Sequence, residues 1–231
     1  MRVIGLLGGM SWESTAEYYR IINQEVRGRL GGQHSAKILM YSVDFEEIER
    51  LQDAGEWGRA GELLAEEARR LERGGADFLL LCTNTMHKVA PAIEAAVDIP
   101  LVHIADAVAE RIAEAGSSCV GLLGTRFTME ESFYKGRLSE KHGLQVLVPG
   151  EDERAFVDRV IYEELCQGQI REQSRRGYVR IIEGLAERGA EGVILGCTEI
   201  GLLISPEDSP LPVFDTARVH AEKAVGLALS H

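Results

Sequence analysis

Two apolar runs in this chain end in side chains that can carry a proton. "GADFLLLCTNTMH" (75–87) leads into Cys82, Thr83, Asn84 and Thr85, and "GAEGVILGCTEIG" (189–201) leads into Cys197, Thr198 and Glu199. Thiols, hydroxyls and carboxylates held in place are the groups that take a proton from a reacting atom or return one. Aligned by their cysteines, the runs make Cys82 the counterpart of Cys197. Aligned by their Gly-Ala starts and the length of the apolar run, they make Thr83 the counterpart. The choice matters because side chains alternate between the faces of a strand, so a slip of one residue reverses the direction.

The elements that position these residues settle the alignment. "VIGLLGGMSWE" (3–13) resembles "CVGLLGTRFTME" (119–130), "RGGADFLLLCTNT" (73–85) resembles "RGAEGVILGCTE" (188–199), and "IPLVHIADA" (99–107) resembles "LPVFDTARV" (211–219). Gly5 maps to Gly121, Ala76 to Ala190 and Pro100 to Pro212, in one order and with a slowly drifting offset. The gapless match through Ala76 and Ala190 pairs Thr83 with Cys197, Asn84 with Thr198 and Thr85 with Glu199. Cys82 should then point away from wherever Cys197 points. The repeat predicts two similar halves: residues 1–105 together with a C-terminal segment from about 212 to 231, and residues 106–211.

Strands are expected at 3–8, 37–43, 77–82, 100–104, 119–124, 144–148, 192–196 and 212–215. Several are apolar throughout, as parallel strands covered on both faces are. Amphipathic stretches at 56–75 and 177–190 alternate with them and run into glycine stops. The fold class is therefore α/β, with two similar halves built on parallel sheets and an active site expected in the cleft between them. Ligands of such folds sit beyond the carboxyl ends of the strands. The loops there are "GGMSWEST", "TNTMH", "GTRFTM" and "CTEIG", each running toward a helix start whose N–H groups suit a carboxylate. They nominate Met10 with its neighbours Ser11 and Trp12, then Asn84, Thr85, Thr125, Thr128, Thr198 and Glu199 as substrate contacts. His87, one turn after Thr83, and His103, the repeat partner of Asp215, are candidates for supporting roles.

Composition narrows the partners. The chain has 231 residues, 45% of them apolar, enough for a substantial core. A net charge of −12 argues against nucleic acid as partner, without excluding an anionic small molecule. The four cysteines fit no zinc spacing, and a chain of this length needs no disulfide staples. The N-terminus lacks the features of a signal peptide and no run reaches a membrane span, so the expectation is a cytoplasmic protein with free thiols. Gly8-Gly9 is not followed by a nucleotide-binding fingerprint.

Together, "GLLGGMSWEST", "LLCTNTMHK", "GLLGTRFTM" and "GCTEIGLL" resemble the aspartate/glutamate racemase family over essentially the whole chain. The resemblance implies a cofactor-independent amino-acid racemase, with no pyridoxal phosphate and no metal. In that family two facing cysteines, one per half, exchange the α-proton. Here the usual Cys-Asn-Thr is Thr83-Asn84-Thr85, while Gly-Cys-Thr-Glu is intact at 196–199, so the chain is similar to a subgroup with a Thr/Cys pair. Thr83 and Cys197 are then the expected catalytic residues. A cysteine can be tuned toward the thiolate by N–H donors; a threonine hydroxyl is a far weaker acid, so one direction of the reaction is expected to be slow. Aspartate-selective relatives carry an Arg and a Lys for the distal carboxylate. Arg50 and Gln52 stand in the first neighbourhood and Cys166 without a lysine in the second, which leaves room for neutral or polar side chains. The resemblance also implies a small-molecule amino-acid substrate and a possible homodimer. Two other readings share these residues: a diacid isomerase or decarboxylase of the same superfamily, and a non-catalytic amino-acid sensor in which Thr83 marks a lost activity.

Overall fold

Among the described residues eight short apolar runs become eight strands, all parallel to their neighbours and divided equally between two sheets. The structure is a computed structural model, and it describes residues 1–230. The chain divides into two compact units, Met1–Ile104 with the chain from His220 onward, and Ala105–Val219.

The first unit runs β1 (Ile4–Gly8), α1 (Trp12–Leu30), β2 (Ile38–Ser42), α2 (Phe45–Asp53), α3 (Trp57–Arg73), β3 (Phe78–Leu81), a 3-10 helix Thr85–Val89, α4 (Ala90–Glu94) and β4 (Leu101–Val102). Its sheet has the order β2-β1-β3-β4. β1 and β3 are buried along their whole length, which explains their unbroken apolar sequence. α3 lays Ala60, Leu64, Ala68 and Leu71 along one buried stripe and stops at Gly74-Gly75, where Gly75 has φ +98°.

α5 (Ile104–Glu114) carries the chain into the second unit. There follow β5 (Cys119–Gly124), α6 (Arg126–Glu130), α7 (Ser132–Gly136), a π-helical turn Arg137–Lys141, β6 (Gln145–Leu147), α8 (Glu151–Glu163), a 3-10 turn Leu165–Gln167, α9 (Glu172–Glu187), β7 (Val193–Gly196), α10 (Ile200–Leu203), β8 (Val213–Asp215) and α11 (Thr216–Leu229). The sheet order is β6-β5-β7-β8, the same permutation as in the first. α9 buries Tyr178, Ile181, Ile182 and Leu185 against its core.

Two boundaries differ from expectation by five residues or more. α9 begins at Glu172 rather than 177; its first turn is polar, and it is anchored by the buried Ser174, whose hydroxyl donates to Glu164 Oε2 at 2.6 Å. The chain was expected to rejoin the first half near 212. β8 instead pairs with β7 in the second sheet, and α11 passes back to the first unit at His220. In the first unit the last segment is held by Ala228 O, which accepts from Arg2 N at 2.9 Å.

Candidate active site

In the first unit the chain leaves β1 through a tight loop. Gly9 adopts φ +96° over the Val43 backbone, a conformation and a space that suit glycine alone. Its amide donates to Thr15 Oγ1 at 2.9 Å, and Ser11 caps α1 by accepting from Ser14 N at 3.4 Å. Met10 is buried in one cluster with Ile48 of α2 and Met86 of the turn after β3. Gln52, on the buried side of α2, donates from Nε2 to Met86 Sδ at 2.9 Å. Gln52 thus adjoins Met86, next to Thr85, and Met10 belongs to the same buried cluster. Arg50, the other candidate on α2, is exposed and lines a surface groove of about 260 Å³ with Glu47, Leu51, Ala54, Glu56 and Arg59. Trp12 is 67% exposed, so it leaves the buried part of the loop to Met10 and Ser11.

Past β3, Thr83, Asn84 and Thr85 are buried polar residues. Thr83 N donates to Leu81 O at 2.9 Å, and His87 N to Asn84 O at 3.1 Å, so the segment turns at once into the 3-10 helix. Cys82 is fully buried; its Sγ faces Leu80 O at 3.9 Å, and burial pushes its thiol far up. It is a core residue with no thiolate character.

In the second unit Thr125 caps α6, accepting from Thr128 N at 3.4 Å, and the two hydroxyl oxygens lie 3.2 Å apart. Thr128 packs on Gly124 and Gly196, where a Cβ would meet it at 3.1 and 3.4 Å. Those two glycines let the ends of β5 and β7 approach closely: a Cβ on Gly124 would stand 2.8 Å from Gly196 O. The Thr125–Thr128 pair is thereby brought to the strand end that carries Cys197. Cys197 Sγ donates to Glu199 Oε2 at 2.9 Å, and Thr198 Oγ1 donates to the same oxygen at 2.9 Å. Cys197, Thr198 and Glu199 are all buried.

The electrostatics of Cys197 differ from a thiol tuned toward the thiolate. Burial, then the negative charge of Glu199, then Cys166 and the hydrogen bond given to Glu199, all push the Cys197 thiol well above its ordinary value. Only the Glu199 backbone N–H acts in the other direction. Residue type and spacing show the N–H donor but not the degree of burial. The resting side chain is therefore a thiol, and it is hydrogen-bonded to the Glu199 carboxylate.

The two sheets give an independent register. Gly5 pairs with Leu79 in the first and Gly121 with Val193 in the second. Four residues beyond each partner stand Thr83 and Cys197, while Cys82 matches Gly196. The fourth strands extend the match: Leu79 pairs with Leu101 and Val193 with Val213, so His103 corresponds to Asp215. Asp215 Oδ2 lies where a Cβ on Gly201 would be only 2.5 Å away.

Some contacts had no signal in sequence. Tyr18 Oη and His220 Nδ1 are 2.9 Å apart across 202 positions of chain. Asp106 on α5 accepts two bonds from Arg137, at 2.8 and 2.7 Å, one from Lys141 at 2.7 Å and one from His142 at 2.8 Å. Burial alone would raise the Asp106 carboxyl, but these donors outweigh it and hold it far below the carboxylate range. Among the described residues no group of three or more His, Cys, Asp or Glu is placed to hold a metal ion, and no helix is long and apolar enough to cross a membrane.

Comparison with known proteins adds to this geometry. The family model described as Asp/Glu/Hydantoin racemase matches residues 7–224. The broad-specificity amino-acid racemase RacX of Bacillus subtilis (strain 168) is 24% identical over 233 residues, covering 99% of each chain. The crystal structure of a Yersinia pestis protein, provisionally described as an Asp/Glu racemase, matches with a TM-score of 0.93 and 55% identity over 100% of both chains. That of an aspartate racemase homologue from Pyrococcus horikoshii OT3 matches with a TM-score of 0.87 and 37% identity, again over 100% of both.

Proposed function

Because the chain belongs to the Asp/Glu/hydantoin racemase family, and is on that ground a racemase and an isomerase, we propose that it interconverts the enantiomers of free amino acids without pyridoxal phosphate, using Cys197 and Thr83 as its two proton carriers. The observation that carries the reading is the thiol–carboxylate pair at the end of β7, Cys197 Sγ to Glu199 Oε2 at 2.9 Å. A thiol held above its ordinary pKa is a poor base as it stands. Passing its proton to Glu199 makes a strong one, in a pocket where burial heightens its basicity. The thiolate takes the α-proton of the L-enantiomer, the electron pair passes into the substrate carboxylate, the Thr83 hydroxyl returns a proton to the opposite face and regains one from solvent, and Glu199 gives the proton it received back to solvent. Asn84, Thr85, Thr125, Thr128 and Thr198 serve the substrate carboxylate through hydroxyls, amide and backbone N–H groups. The reverse direction starts from a hydroxyl that ionises with difficulty, so it has the lower turnover.

The substrate range is broader than aspartate alone. Of the side chains near the expected distal-carboxylate site, Arg50 faces solvent and Gln52 is the buried one, and the neighbourhood of Cys166 carries no lysine. The name of the Bacillus subtilis relative, a broad-specificity racemase, is consistent with this. The test is α-proton exchange in deuterium oxide across the L- and D-amino acids. Exchange of several neutral or polar amino acids, without added cofactor, is expected. Binding without exchange would leave a sensor, and exchange only after adding pyridoxal phosphate would remove the mechanism.

A further inference from the structure

His87 stands directly behind Thr83. Its Nδ1 lies 2.7 Å from Thr83 O, and its Nε2 accepts from Ile104 N at 3.2 Å. An imidazole nitrogen that accepts a backbone N–H carries no proton, so the proton is on Nδ1 and Nδ1–H donates to the Thr83 carbonyl. The ring is therefore the neutral Nδ1–H tautomer, fixed by two backbone groups.

The place of this ring in the sheet explains its use. The β3–β4 ladder ends at the pairs Leu79–Leu101 and Leu80–Val102. Beyond it the backbones diverge, and the carbonyl of Thr83 and the amide of Ile104 need other partners because this region is buried. The imidazole supplies both and continues the ladder as a side chain. Around it are two further buried histidines: the His103 ring centroid is 4.4 Å away and that of His220 6.1 Å. His220 Nε2–H donates to Val102 O at 2.7 Å, its Nδ1 takes the Tyr18 hydroxyl, and burial lowers its pKa to about 4, so it too is neutral. The corresponding position in the second unit is Gly201, which has no side chain, and there the Cys197 carbonyl accepts from Ile200 N at 3.1 Å instead. The imidazole brace thus belongs to the Thr83 side alone.

We propose that His87 is a positioning residue, bridging the Thr83 carbonyl to the Ile104 amide and thereby fixing where the Thr83 hydroxyl stands. The inference rests on the proposed role of Thr83 as a proton carrier. Loss of the bridge frees the Thr83–Asn84 peptide to rotate, and displacement of a reacting group by about 1 Å costs up to about a hundredfold.

The experiment compares two rates on the L-enantiomer in deuterium oxide. Deuterium uptake into remaining L-substrate requires Cys197 alone; formation of the D-enantiomer also requires Thr83. His87→Ala is expected to lower racemisation relative to uptake by about tenfold or more. His87→Asn, whose amide nitrogen stands where Nδ1 stood, is expected to recover most of that ratio. Nitrogen-15 NMR of the unaltered protein is expected to show His87 protonated on Nδ1 and bare on Nε2. A proportional loss of both rates in folded His87→Ala, or a His87 ring carrying its proton on Nε2, overturns the proposal. If the unaltered protein neither racemises nor exchanges any amino acid, the racemase reading fails, and the NMR tautomer still decides whether the bridge exists.

Discussion

Glu199→Gln separates two effects of one carboxylate. Glu199 Oε2 accepts both the Cys197 thiol and the Thr198 hydroxyl at 2.9 Å. Its charge opposes ionisation of Cys197, yet the same carboxylate is the proposed acceptor of the thiol proton. Glutamine keeps the shape and an oxygen acceptor but neither the charge nor the basicity. Two unit charges about 4 Å apart interact by about 4 kcal/mol at an effective dielectric constant of about 20, or about three decades in an ionisation constant. Burial, the larger cause of the raised thiol, remains. The retained hydrogen bond and solvent relaxation absorb part of the rest, so the variant should carry at least about tenfold more thiolate at pH 7. Iodoacetamide alkylation of Cys197, followed by mass spectrometry from pH 6 to 9, reads that fraction directly. Racemisation should move the other way and fall by about a hundredfold or more, the usual contribution of a positioned acid or base. Unchanged alkylation together with retained racemisation would refute both the electrostatic account and the acceptor role.

Cys197→Ala should abolish α-proton exchange of both enantiomers while circular dichroism stays unchanged, since the cavity left costs about 1 kcal/mol; retained exchange would remove Cys197 from the mechanism. Thr83→Cys should raise kcat from the D-side more than from the L-side, with the two kcat/KM values remaining equal because enantiomers are equal in energy; Cys82→Ala, altering only the core, should change neither. Asp106→Asn should destabilise the protein by about 2 kcal/mol in urea at pH 7, because a carboxylate meeting three donors loses its charge. Since the folded Asp106 carboxyl is held below its unfolded value, that difference should persist above about pH 4 and shrink as the pH falls further.

Much of this was legible in the chain because it depends on local pattern. All eight strands coincide with apolar runs, and the Thr83–Cys197 correspondence read from the repeat agrees with the register counted from Gly5 and Gly121. Glycine stops after α3 and α9 were equally visible. What escaped depends on distance in the chain. Nothing near Asp106 announces Arg137, Lys141 and His142, and nothing near His87 announces Ile104 or His220. The raised Cys197 thiol escaped for another reason: desolvation follows from how many core residues close around it, which a motif does not encode.

The chain enters the second unit at Ala105 and leaves it at Val219, so that unit is one uninterrupted stretch while the first is assembled from two. On a ribosome, residues 105–219 are complete before His220 is made. The first unit must wait: the Val102 carbonyl has no His220 donor, and Arg2 N no Ala228 carbonyl, until the last helix has been synthesised. Domains fold as units during synthesis, generally N-terminal first; here the order is expected to reverse. A nascent chain arrested just after Val219 should hold a protease-resistant second unit and a first unit that is still digestible, including the segment that carries Thr83.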